Sequence, residues 1–294
     1  MEINGYTRMA AVIANPIKHS LSPFIHNLAF ELTGENGVYT AWELKENEPS
    51  DKKDTLLKAA LGNIRLLNMY GVNLSMPYKQ LAMWYVNDLS ESAKLIGAIN
   101  TIENRDGTLI GHNTDGLGFW RMAAKNGFRP AGESVVVLGG GGAALAIIAE
   151  AALQSASKIT VLARRSASFQ PLSEKLQTLS ALTGIKIELF DINQVEKTSS
   201  AVTESKIVVN ATSVGMDGLS SPLASAVKFD SGQFVADAIY KIPETPFLKN
   251  AKSQGARTAN GVGMLLYQAA ESFKLWTGKD MPVTAIQKEL EKKL

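Results

Sequence analysis

Between Val135 and Ala149 the chain reads VVVLGGGGAALAIIA: a β-branched run enters four consecutive glycines and leaves them through an alanine-rich segment. Valine favours a strand, glycine admits a turn that a Cβ would block, and alanine favours a helix. The stretch therefore predicts strand, tight turn and helix in immediate succession. The unpaired N–H groups and positive dipole end of that helix would face whatever sits over the glycines.

The spacing Gly139-x-Gly141-x-x-Ala144 fits G-x-G-x-x-G/A, in which glycine lets a pyrophosphate approach the backbone and the helix start binds it. Such a match is weak alone, because glycine clusters also make ordinary turns. Here a strand precedes it, a helix follows, and a second strand comes at a suitable distance. Gly139, Gly140, Gly141, Gly142 and Ala143 are thus candidate dinucleotide contacts. At the end of the next strand stands Ala163-Arg164-Arg165-Ser166, with no acid to accept a ribose 2′-OH. Guanidinium groups suit a 2′-phosphate, so NADP is the expected cofactor. A lone arginine stacked on adenine would leave NAD acceptable.

The rest of the chain is read against this unit. Its 294 residues suggest two domains, a domain usually holding roughly 100–200. A hydrophobic fraction of 45% supplies buried cores and argues against disorder. Thirty basic and 28 acidic residues balance to +2, which gives no footprint for nucleic acid and no polybasic membrane patch. Cysteine is absent, excluding disulfides, thiolate metal sites and cysteine nucleophiles. Arg8 is followed only by Met9–Ala14 before Asn15-Pro16, too short for a signal-peptide core. A cytoplasmic protein acting on a small molecule, with no metal, is expected, either monomer or homodimer.

The first third alternates period-two and helical patterns. Strands are predicted at Arg8–Ala14, Val38–Leu44 and Leu66–Ser75, helices at Ser22–Leu32 and Asp51–Leu61, and a hairpin over Ala98–Gly111 turning at Asp106-Gly107. The charged segment Lys45–Lys53 reads as a solvated loop or helix start. That alternation implies an α/β layer with a largely parallel sheet. A connecting helix, Thr114–Asn126, leads to strands at Ser134–Leu138, Lys158–Leu162, Ile185–Phe190, Lys206–Asn210 and Gln233–Ala236, the pattern of a doubly wound sheet. Helices at Gly261–Trp276 and Val283–Leu294 close the chain.

Four polar clusters stand outside the glycine turn. In Asn15–Pro23, Ser20 and Ser22 either cap a helix or aim two hydroxyls at a carboxylate or polyol; His19 is read as a loop residue without a role. In Gly71–Lys79, Asn73, Ser75 and Lys79 fall at a strand end, where α/β folds bind ligands. A lysine there is a surface charge or a proton donor and acceptor. Asn100 in GAINT and Asp115 in GHNTD sit in apolar, glycine-marked surroundings, and Asp115 could equally cap the following helix. Gln268 interrupts an apolar helical face, and a buried glutamine requires partners.

Taken in order, NPIKHSLSP, GVNLSMPYK, GAINT, GHNTD, the glycine turn, NATSVGM (Asn210–Met216) and GMLLYQAAESFKLWTG resemble the motifs of shikimate dehydrogenases over nearly the whole chain. SMPYKQLA and LWTGKDMP are most similar to the quinate/shikimate dehydrogenase branch. The resemblance implies an N-terminal α/β substrate domain (1–113, completed by 262–294) and a Rossmann-type doubly wound NAD(P)-binding domain (114–261). The C-terminal helices would return to the N-terminal domain, with Met264–Leu294 packing on residues before about 113. Lys79 matches the catalytic proton donor and acceptor, and Asp115 its partner, which also bonds the substrate. Ser20 and Ser22 match the hydroxyls that hold the substrate carboxylate. Ser75, Asn100, Tyr240 and Gln268 match further substrate positions, and Ala238 and Gly261 the nicotinamide end. Ala163, Arg164 and Arg165 match the adenosine-ribose segment.

Three departures from the family pattern stand out. Ser75 replaces a usual threonine, as in the quinate-accepting branch. The glycine turn is GGGGA where GAGGA is usual. Ala163-Arg164-Arg165 replaces Asn-Arg-Thr of the NADP-specific branch, while Ser166 lacks the acid of the dual-cofactor branch. The implied reaction is reversible reduction of 3-dehydroshikimate, and possible turnover of quinate. Two rivals share the architecture: a methylene-tetrahydrofolate-type dehydrogenase, against which paired Ser20/Ser22 and GHNTD speak, and a non-catalytic NADP-binding regulatory protein.

Overall fold

The structure is a computed structural model that describes residues 2–45 and 52–293. The segment 46–51, most of the predicted charged loop, lies outside the described residues. The chain divides into two compact units, Met1–Thr114 with Leu266–Leu294, and Asp115–Leu265.

The first unit opens with β1 (Arg8–Ala14), α1 (Ser22–Thr33), β2 (Gly37–Glu43), α2 (Lys53–Leu66) and β3 (Gly71–Leu74). A short 3₁₀ turn (Leu81–Tyr85), β4 (Asp88–Leu89), α3 (Glu91–Ile96), β5 (Thr101–Arg105) and β6 (Thr108–His112) follow. Among the described residues the sheet runs β2-β1-β3-β5-β6-β4. It is largely parallel, with the β4–β6 pair parallel as well, and is interrupted by one antiparallel strand. β1 pairs in parallel with β2 and β3, but the β5–β6 hairpin introduces antiparallel pairs on both sides of β5. Asp106 and Gly107 both have positive φ (51° and 87°), which a two-residue hairpin turn demands. The third strand starts at Gly71, not Leu66. α2 continues to Leu66, and Asn68 at φ 48° turns the chain before β3.

Register decides which residues share a face. Leu57, Leu61 and Ile64 recur at helical spacing on α2 and pack in one core with Ala11, Ile13, Val72, Leu74 and Ile102. Alternation sends the intervening residues to the opposite face. Ala10 lies beside Tyr39, Val12 beside Asn73, and Asn73 beside Thr101. That face therefore carries three hydrogen-bonding side chains in a row.

The second unit contains α4 (Asp115–Lys125), β7 (Ser134–Leu138), α5 (Gly142–Leu153), β8 (Lys158–Ala163), α6 (Phe169–Thr183), β9 (Ile187–Asp191) and α7 (Val195–Thr203). It continues with β10 (Ile207–Asn210), β11 (Phe234–Asp237), α8 (Pro246–Ser253) and β12 (Arg257–Ala259), a short edge strand that the sequence reading missed. The order is β12-β11-β10-β7-β8-β9, every pair parallel. Numbered within the unit this is the 3-2-1-4-5-6 order of doubly wound sheets, whose direction reverses between β7 and β10. α4 lies close on α5: a Cβ at Gly116 would come within 2.3 Å of the Ala146 carbonyl oxygen, and the Trp120 indole donates to the Ile147 carbonyl (3.0 Å).

α9 (Val262–Thr277) and α10 (Val283–Glu291) end the chain. From Leu266 onward they belong to the first unit. Phe273 and Trp276 of α9 pack with Phe30 and His26 of α1 and with Tyr39. The Trp276 indole donates to the Ile102 carbonyl (3.0 Å), and Lys279 pairs with Glu35 at 2.7 Å. The C-terminal return is thus present, beginning at Leu266 rather than Met264. No described helix is long and apolar enough to cross a membrane.

Candidate active site

In the first unit the predicted polar residues gather where β1 and β3 end. These strands are parallel, so the loops after Ala14 and Leu74 leave the sheet on one edge. The loops are tied together: Asn15 N–H donates to the Met76 carbonyl (3.1 Å) and Ser75 N–H to the Ile13 carbonyl (3.0 Å). Ile99 N–H donates to the Lys79 carbonyl (2.8 Å), and Leu74 N–H to the Asn100 carbonyl (2.8 Å). Asn100 is therefore a backbone neighbour of the loop bearing Ser75 and Lys79, although it lies well apart from them in sequence. Ser75 is exposed, Lys79 half-buried and Asn100 buried.

Ser22 does not cap α1. Leu21 holds the cap position without a side-chain bond, and Ser22 is the first helical residue, with Pro23 in the first turn. Its N–H is met by the Ser20 hydroxyl (3.3 Å), while its own hydroxyl bonds the Tyr39 phenol. Burial holds that phenol well above its ordinary pKa, hence protonated, and it donates to Asn73 Oδ1 (2.7 Å). The Asn73 amide nitrogen donates to Thr101 Oγ1 and Ser272 Oγ, each at 3.0 Å. Asn100 Oδ1 accepts from Thr114 N–H (2.8 Å) and Thr101 Oγ1 (3.1 Å), and its Nδ2 donates to Thr114 Oγ1 (3.0 Å). A continuous chain of polar groups, buried from Tyr39 onward, thus joins half-buried Ser22 to Asn100. The sequence reading singled out its two ends and Asn73 but missed Tyr39, Thr101, Thr114 and Ser272. The alternation of Tyr39 and Asn73 with apolar neighbours, and Ser272 one helical turn after Gln268, were the available signals. Gln268 is half-buried, and His19 is exposed.

In the second unit the glycine turn occupies the sheet's reversal point. Gly139, at φ 107°, gives its N–H to the Leu162 carbonyl (2.9 Å), and Ala211 N–H bonds the Leu138 carbonyl (2.9 Å). A Cβ on Gly139 would meet Thr212 at 2.9 Å, and one on Gly140 would meet Leu172 at 2.3 Å. At Gly141 and Gly142, by contrast, a Cβ would meet no protein atom within 4 Å. Gly141 caps α5 without a side-chain bond. The first two glycines are needed by the protein's own packing, and the last two leave open space above a helix N-terminus. That arrangement fits a pyrophosphate. Ala143 follows in the first turn of α5, and Ala144 is fully buried.

Ala163 ends β8, and Arg164 and Arg165 project exposed beyond it, with the Arg165 guanidinium 5.4 Å from the Phe169 ring centre. Asp115 begins α4 as its first helical residue and is half-buried. Ala238 and Tyr240 follow β11, whose last residue, Asp237, is buried. Its carboxylate accepts from Asn210 Nδ2 (3.2 Å to each oxygen), Ile239 N–H (2.9 Å) and Thr245 Oγ1 (2.8 Å). Burial pushes its pKa up against those bonds, and burial raises that of the Tyr240 phenol too. Gly261 N–H donates to the Ile239 carbonyl (2.9 Å), and a Cβ there would lie 2.2 Å from the Ala238 carbonyl oxygen. Asp237 and Asn210, which sequence reasoning did not single out, therefore fix the segment bearing Ala238, Tyr240 and, through Ile239, Gly261.

The fold and these features define a two-unit α/β protein with a Rossmann-type nucleotide-binding sheet. Residues 12–102 match the shikimate dehydrogenase substrate binding domain, and residues 261–291 the shikimate 5′-dehydrogenase C-terminal domain. The chain is 55% identical over 294 residues, all of both chains, to a shikimate dehydrogenase (NADP(+)) of Lactococcus lactis subsp. cremoris. It is 48% identical to one of Streptococcus suis, over 100% of this chain and 99% of that one. Among solved structures, shikimate 5-dehydrogenase from Listeria monocytogenes in complex with shikimate and NAD superposes with a TM-score of 0.92 at 37% identity, over 99% of this chain and 98% of that one. The chain belongs to the shikimate dehydrogenase family.

Proposed function

We propose that the protein is an NADP-dependent shikimate dehydrogenase, which interconverts 3-dehydroshikimate and shikimate. The observation that carries this reading is full-length identity of 55% to a relative bearing that activity in its name. The open turn at Gly141 and Gly142 supports a nucleotide. The nicotinamide, when bound, supplies the hydride acceptor or donor.

The chain's own residues do the rest. Ser20 and Ser22 hold the substrate carboxylate with their hydroxyls. Asn100, Ser75, Gln268 and Tyr240 bond the ring hydroxyls and fix the ring's orientation, which lowers the barrier by positioning. In the reductive direction Lys79 delivers a proton to the carbonyl oxygen, and in the oxidative direction it removes one from the hydroxyl. Asp115 accepts a hydrogen bond from the substrate. Gly139–Ala143 cradle the pyrophosphate, Ala163–Arg165 face the adenosine ribose, and Ala238 and Gly261 line the nicotinamide position. The first unit is the substrate domain and the second the dinucleotide domain.

Purified protein is expected to reduce NADP with shikimate, followed by nicotinamide absorbance, at a higher kcat/KM than with NAD; no turnover with either cofactor would sink the reading. Quinate is a second expected substrate, because exposed Ser75 presents a hydroxyl without threonine's methyl. Comparing quinate with shikimate in the same assay measures that difference. Changing both Arg164 and Arg165 to alanine is expected to raise the KM for NADP about tenfold while leaving that for NAD within about twofold, since only NADP carries the 2′-phosphate that guanidinium groups pair. Equal changes for both cofactors would remove these arginines from phosphate recognition.

A further inference from the structure

Ser272 lies on α9, far in sequence from every other member of the buried polar chain, and it is fully buried. Its hydroxyl oxygen is within hydrogen-bond reach of four groups: Asn73 Nδ2 (3.0 Å), Thr101 Oγ1 (2.8 Å), Thr114 Oγ1 (3.4 Å) and the Gln268 carbonyl one turn earlier (3.1 Å). A serine hydroxyl has one proton and two lone pairs. The Gln268 carbonyl can only accept and the Asn73 amide nitrogen can only donate. Ser272 therefore accepts from Asn73, and because the Gln268 carbonyl already takes the helical Ser272 N–H, the hydroxyl proton is directed to its nearest neighbour, Thr101 Oγ1.

Those directions propagate. Tyr39 gives its proton to Asn73 Oδ1, which turns the Asn73 nitrogen toward Ser272. With the Ser272 proton directed to Thr101 Oγ1 at 2.8 Å, the Thr101 proton goes to Asn100 Oδ1, already met by Thr114 N–H. Asn100 Nδ2 then donates to Thr114 Oγ1. The Thr114 N–H fixes the flip state of the Asn100 carboxamide, and the Thr101 hydroxyl that gives Oδ1 a second donor is itself directed by Ser272. Satisfied buried networks of this kind fix a single geometry.

We propose that Ser272 is a positioning residue of the substrate site, acting through Thr101 to orient Asn100. It rests on the reading of Asn100 as a substrate-binding residue. Ser272 thereby bears on recognition of the substrate's ring hydroxyls without touching them.

The test is a kinetic double-mutant cycle of Ser272→Ala and Asn100→Ala in the full-length enzyme, with thermal unfolding of each variant. Ser272→Ala is expected to raise the KM for shikimate about fivefold, to change kcat less than twofold and to leave the KM for NADP unchanged. Added to Asn100→Ala, it is expected to have no further effect on shikimate KM, because the group it orients is gone. An additive effect in the double variant overturns the proposal, as does a lowered melting temperature with unaltered shikimate KM. If Asn100→Ala alone leaves shikimate KM unchanged, the assignment of Asn100 fails and the role of Ser272 falls with it. If Asn100→Ala acts and Ser272→Ala does not, only the latter is wrong.

Discussion

Replacing Lys79 with alanine is expected to lower kcat for shikimate oxidation by about three orders of magnitude, with KM for shikimate and NADP changed only a few-fold. Positioned acid–base groups contribute roughly 10²–10⁴-fold, and no other assigned residue of the first unit offers an ammonium at that strand edge. The backbone of Lys79 is fixed by the Ile99 N–H and by the turn in which Tyr78 N–H bonds the Ser75 carbonyl (2.9 Å). Alanine should therefore leave the loop intact and remove only the proton carrier. Lys79→Arg is the sharper comparison, because it keeps the charge but cannot give up its proton near neutral pH. Activity of the arginine variant close to that of the unaltered enzyme would show that charge, not proton transfer, is what position 79 supplies.

The second large effect concerns stability. His26 is fully buried, stacked on Tyr39 with ring centres 4.3 Å apart and planes within 6°. Neither ring nitrogen has a hydrogen-bond partner, and burial lowers its pKa to about 3. An unfolded histidine titrates near 6.5. Between those values the unfolded chain binds a proton that the folded chain refuses, so folding free energy is fully present above about pH 6.5 and is lost as pH falls toward 3. The slope for one proton is about 1.4 kcal/mol per pH unit, which amounts to a few kcal/mol across the window. His26→Phe keeps the stacking and removes the titration. Urea unfolding at pH 7 and pH 5 is expected to show a fall for the parent that exceeds the variant's by about 2 kcal/mol. Parallel losses in both would mean that His26 is protonated in the folded chain.

How much of this could be read beforehand depended on how local the cause was. β1 and β7 follow from apolar runs bounded by turn residues, and the β5–β6 hairpin from Asp106-Gly107, so their positions were legible. Leu66 and Leu67 misled because apolar residues at a helix end look like the opening of the next strand; only the turn at Asn68 separates them. β12 was missed because Arg257–Ala259 is short and carries no apolar run; pairing with β11 makes it a strand. In the site, Ser20 and Ser22 stood out as types, but Ser22's partner is Tyr39 on the other side of a helix–strand connection. Asn73, Thr101 and Ser272 meet because of strand register and a returning helix, neither of which a linear pattern encodes.

That returning helix has a consequence for how the molecule is made. The first unit is discontinuous in sequence, and the face carrying Tyr39 and Asn73 is covered in part by Phe273 and Trp276, near the end of the chain. During synthesis the middle unit, Asp115–Leu265, emerges whole and can complete its fold while the earlier segment still waits with an uncovered aromatic surface. The part translated first is thus the last to be finished.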